Sequence, residues 1–178
     1  MPSTSSRDGD AATPSLRDRI ESHLGSRDVA HVIYGAIIGL ALVLALQAHP
    51  PTAAQTVGLV VGTALAVGLA ELYSEIVASE ARTRRTIARA QVREMAGESL
   101  AVVFGAAFPA VFFILAAAGV MGESLAFTLS KWSGLGLICG YGFVAARLAG
   151  QSLGRALLHA VAVGVIGGAL IALKALLH

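Results

Sequence analysis

The stretch GLAELYSEIVASEARTRR, residues 68–85, decides how this chain is read. It starts as membrane-type sequence, carries Glu71 and Glu75 one helical turn apart, and ends in a run of arginines. An apolar segment that turns basic at one end looks like a helix leaving a bilayer, because basic residues collect on the cytoplasmic side. The rest of the chain agrees. Its 178 residues are 56% hydrophobic and 13% charged, with a mean hydropathy of +0.74. A soluble domain carries about 25% charged residues. Most of the charges fall in residues 1–28 and 80–98. The expected fold is all-α, a polytopic membrane protein in one small domain.

Five apolar segments can be drawn, at about 30–48, 56–79, 100–120, 124–147 and 154–176. Each is close to the ~20 residues that a helix needs to cross a bilayer. HPPTAAQ (49–55), MGES (121–124) and AGQSLG (149–154) read as turns between them, the first with two prolines that cannot continue a helix. Residues 80–98 read as a cytoplasmic helical extension of the second span. With the N-terminus inside, eleven of the thirteen basic residues lie on the cytoplasmic side, which predicts five spans, N-inside and C-outside, in a bacterial cell membrane. Residues 1–28 are polar, lack a signal-peptide core, and read as a disordered cytoplasmic tail.

The net charge of +2 gives no reason to expect a nucleic-acid partner, and Cys139 as the only cysteine excludes an intrachain disulfide. There is no phosphate loop, no His-x-x-x-His and no nucleophile elbow, and the five histidines form no cluster in sequence. The expectation is a non-enzyme without a resident cofactor.

Glu71 lies about 12 Å inside the second span and Glu75 about 6 Å, counting back from Ser79. Glu75 can reach headgroups; Glu71 must be protonated, paired, or turned to a polar cavity. Lys131, on the fourth span, is at a depth from which it could pair with Glu71, or else extend outward beside Trp132. Pro109 is expected to kink the third span. Arg82, Arg84, Arg85, Arg89 and Arg93 fit contact with anionic headgroups. Glu94 and Glu98 flank Met95 one turn apart, either as a cation site or as a solvated face. Four glycine pairs, Gly35–Gly39, Gly58–Gly62, Gly136–Gly140 and Gly164–Gly168, fit close helix packing, within a monomer or across a dimer.

In the order of these parts the chain resembles the vacuolar iron transporter family. GLAEL (68–72) is similar to its second-span signature, FGAAFPAVFF (104–113) to its third span, and GYGFVAARLAGQSLGRALLHAVAVGVIGGAL (140–170) to its fourth-span exit and fifth span. The resemblance implies five spans, a homodimer, and transport of Fe²⁺ or Mn²⁺, in some members against protons. It puts Glu71 on the ion pathway, with Tyr73, Ser74, Glu75 and Ser79 nearby. The chain departs from the family where Ile38 stands for a ligating aspartate and Ser79 for a ligating methionine; its insert is also short and arginine-rich. Two readings follow. One is a cation or proton-coupled transporter working through Glu71. The other is a non-transporting membrane scaffold or partner-binding protein with a structural Glu71–Lys131 pair.

Overall fold

The computed structural model describes residues 26–176, and all regular elements among them are helical. They are α1 (Ser26–Leu46), α2 (Ala53–Thr83), α3 (Arg89–Ala107), α4 (Ala110–Ala117), α5 (Glu123–Leu148) and α6 (Leu153–Leu176). The tail assigned to residues 1–28 lies outside the described residues as far as 25, and its last three residues already belong to α1. α1 and α2 are each long and apolar enough to cross a membrane, and α3 with α4 makes a third such unit if the bent pair is one span. α5 falls short of that measure. Ser130, Lys131, Ser133 and the glycines at 134, 136, 140 and 142 dilute its apolar character.

Element ends follow from local chemistry. α2 opens with a capping box, in which Thr52 accepts from the Gln55 amide and the Gln55 side chain accepts from the Thr52 amide. It closes at Arg84, whose φ of 51° is left-handed and whose N–H donates to Glu80 O at 2.8 Å. The cytoplasmic extension expected over 80–98 is therefore not a continuation of the second helix. The chain turns through 85–88, and Arg89 starts a new helix that runs on into the third apolar segment. That segment breaks at Pro109, where α3 and α4 meet at a 50° bend. Proline supplies no N–H for a helical hydrogen bond, which accounts for the expected kink.

The helices form two matched hairpins. Val32, Gly35, Ala36, Gly39, Leu40 and Val43 are buried on α1; Val102, Gly105, Ala106, Pro109, Ala110 and Phe113 are buried at a constant offset of 70 residues. The same offset relates Thr56, Val60, Ala64 and Gly68 of α2 to Ala126, Ser130, Gly134 and Ile138 of α5, all buried. Packing partners exchange in the same way: α1 lies mainly against α3 and α5, and α3 mainly against α1 and α2. The two halves meet at Gly35 and Gly105. A methyl on Gly35 would strike the carbonyl of Val102, and one on Gly105 the carbonyl of Val32, so each glycine admits the other helix's backbone. At the other end of the hairpins, Ala53 N–H donates to Glu123 Oε1 at 2.8 Å, and these two residues also stand 70 apart. The burial pattern and the exchanged partners make the two hairpins a tandem repeat in contact at the α1–α3 crossing. α6 packs on α5 outside the repeat.

The apolar core fills both sides of the crossing. Ala36, Leu40, Leu44 and Ile138 form one cluster; Val43, Phe113, Ala126 and Phe127 form another, with the two phenyl rings edge-on at 4.8 Å. Of the four expected glycine pairs, only Gly35–Gly39 packs helix on helix at both positions. Gly164 meets Cys139, while Gly58, Gly62, Gly136, Gly140 and Gly168 face open space. The close approaches missed in the sequence are at Gly68, Gly105 and Gly167.

Candidate metal centre

Helical spacing puts Glu71, Glu75 and Ser79 on one stripe of α2, and Gln91, Met95 and Glu98 on one stripe of α3. The turn at 84–88 folds the two stripes together. Gln91 Nε2 donates to Ser79 Oγ at 3.2 Å near the turn, and Ser99 and Val103 stand against Gly68 further along. Between these contacts lies a cavity of about 190 Å³. Glu75, Glu94, Glu98 and Met95 line it with Ser79 and Gln91, and Arg82 lies at its edge.

α1 completes the site. One ligand atom each from His31, Glu75 and Glu98 lie within 4.8 Å of one another, a spacing at which a single cation can be shared. His31 Nε2 is also 3.9 Å from Glu71 Oε1. His31 and Glu71 side chains are 20% and 30% exposed, and Glu98 is buried at 7%. A buried carboxylate needs hydrogen bonds or a counter-charge. An imidazole and two carboxylates, with a thioether beside them, suit a first-row divalent ion such as Mn²⁺ or Fe²⁺ better than Ca²⁺ or Mg²⁺, which prefer all-oxygen shells.

The sequence-predicted residues divide. Glu75, Ser79, Glu94 and Glu98 meet in one cavity, and Glu71 stands next to it across His31. Glu75, read as an interfacial residue, stands with His31 and Glu98 in the group whose spacing could hold a cation, and Glu71 stands outside that group. Tyr73 points away, on the opposite side of α2, and is 70% exposed. Among the described residues no ion pair joins Glu71 to Lys131, and the Glu71 carboxylate faces His31 instead. Arg84, Arg85, Arg89 and Arg93 are exposed around the α2–α3 turn, as a headgroup-facing cluster requires. His31 is not singled out by the sequence. Its only signal in the sequence is its position four residues before Gly35, where α1 touches α3.

The chain matches no protein-family profile, no curated protein and no solved structure.

Proposed function

We propose that the protein is a five-span membrane protein, N-inside and C-outside, that moves a divalent cation, Fe²⁺ or Mn²⁺, or couples its movement to protons, in the manner of a divergent vacuolar iron transporter. The observation carrying this reading is the convergence of His31, Glu75 and Glu98 from three different helices on one point. Nothing in apolar packing requires an imidazole and two carboxylates to meet there.

The length of α2 supports the placement of the site. Its 31 residues span about 46 Å, against a hydrocarbon slab of about 30 Å. With Thr52 at the outer surface, the last ten or so residues of α2 project into the cytoplasm. Glu75 and Glu98 then sit at the inner rim, within reach of ions from the cytoplasm. Ions are drawn in by the carboxylates of Glu71, Glu75, Glu94 and Glu98, with Arg82 as the local positive charge beside them. The small, mixed donor set holds a cation without enclosing it, which suits cargo that must leave.

Purified protein in liposomes is expected to pass Mn²⁺ or Fe²⁺, with Glu75→Gln and Glu98→Gln stopping the flux and Glu71→Gln slowing it. Flux equal to that of protein-free vesicles, with Mn²⁺ still bound, would assign the site to a static cation in a membrane scaffold. Absence of both flux and binding would remove the metal reading altogether.

A further inference from the structure

A second cavity, open and of about 440 Å³, lies where α5 turns into α6. Gln151, Arg155, Leu158, His159 and Ala162 form its wall. On α6 the last four follow helical spacing, on the face turned away from α5. The packed face carries Ala156, Ala160, Val163, Gly164 and Gly167 instead. Arg147 is committed elsewhere: its Nη1 donates to the carbonyl of Gln151 at 2.9 Å, and Gly150, at φ 73°, closes the turn. Arg155 makes no hydrogen bond or ion pair among the described residues.

The wall mixes polar and apolar groups. Gln151 and Arg155 stand where α6 begins, and His159 follows between Leu158 and Ala162. No carboxylate lines it. The matching ligand carries an anionic group next to an apolar part. Inorganic phosphate would satisfy Arg155 but leave the apolar wall uncovered.

We propose that this cavity binds an anionic phospholipid of the cytoplasmic leaflet, with Arg155 and His159 on the headgroup phosphate and an acyl chain along Leu158 and Ala162. The inference rests on the topology above, which puts the α5–α6 turn at the cytoplasmic membrane surface, and not on the metal reading. Basic side chains at the cytoplasmic membrane surface attract anionic headgroups. The bound lipid fastens α6, the one helix outside the repeat, to the bilayer.

The test uses the full chain. Extraction of cell membranes with carbonate first establishes that the protein is integral; release into the soluble fraction would overturn the topology and this inference with it. Native mass spectrometry of the detergent-purified protein, titrated with phosphatidylglycerol and separately with phosphatidylcholine, then reads the site. One phosphatidylglycerol retained per chain in preference to phosphatidylcholine is expected. Arg155→Gln should weaken its retention about fivefold, and adding His159→Gln should weaken it further. Excess inorganic phosphate should not displace the lipid. Equal retention of the two lipids, or full retention by the double variant with unchanged thermal stability, would overturn the proposal. Displacement by inorganic phosphate would show a free-anion site instead.

Discussion

The two hairpins of this molecule bury side chains at the same positions and differ in what they place at one end. At the α1–α2–α3 junction stand His31, Glu71, Glu75 and Glu98. Seventy residues on from His31, Glu71 and Glu75, the second hairpin has Ala101, Tyr141 and Ala145. The packing is common to both halves, while of these four side chains only Glu98 has an acidic counterpart, Asp28. Buried apolar and glycine positions shared by the repeat serve the fold, and residues that break it are the first candidates for function. His31, Glu71 and Glu75 break it, whereas Gly35 and Gly105 are shared.

The largest expected effect is on the shared crossing. Gly35→Ala and Gly105→Ala each force a methyl into a carbonyl of the facing helix, at a cost of about 1–3 kcal/mol or more. Thermal unfolding in detergent should show both variants strongly and similarly destabilised. Gly58→Ala and Gly136→Ala, which meet nothing within 4 Å, should match the wild type. Unequal losses at Gly35 and Gly105 would break the equivalence of the halves.

Next comes the asymmetry of charge. Glu98→Gln and His31→Ala should each weaken Mn²⁺ binding by at least about tenfold, since each removes one of three ligands. Ala145→Ser, at the position corresponding to Glu75, should leave it unchanged. Calorimetric titration distinguishes these outcomes.

Smaller effects belong to two polar ties, one between the halves and one within the second. Glu123→Ala removes the acceptor for Ala53 N–H and should cost about 1 kcal/mol. Ser130→Ala removes a buried hydroxyl that donates to the Pro109 carbonyl at 3.3 Å, worth about 0.6 kcal/mol in a membrane helix. Chemical denaturation with each single variant measures both.

Much of the helix layout was legible in the sequence. Apolar runs bounded by HPP, MGES and AGQ located the helices to within a few residues, and Pro109 announced the break between α3 and α4. The one large error was the segment 80–98. Its arginines and glutamates suit a helix anywhere, and only the left-handed Arg84 shows where the chain reverses. The repeat is faint in the sequence because identity is confined to a few matched positions, Val32/Val102, Gly35/Gly105 and Ala36/Ala106, while elsewhere only burial is shared: Leu40 answers to Ala110, and Ile138 to Gly68. For the site, the stripes on α2 and on α3 could be read from their spacing, but their meeting with His31 could not. That contact depends on which helices are neighbours. The same gap in information made a Glu71–Lys131 pair look feasible, although in the fold Glu71 faces His31 of α1.

Manganese bound to the purified protein, counted by electron paramagnetic resonance, tests the central claim most directly. The account predicts one tightly bound Mn²⁺ per chain, lost when Glu75 and Glu98 are both changed to glutamine while the protein stays folded. An equal Mn²⁺ signal from the wild type and that double variant would contradict it.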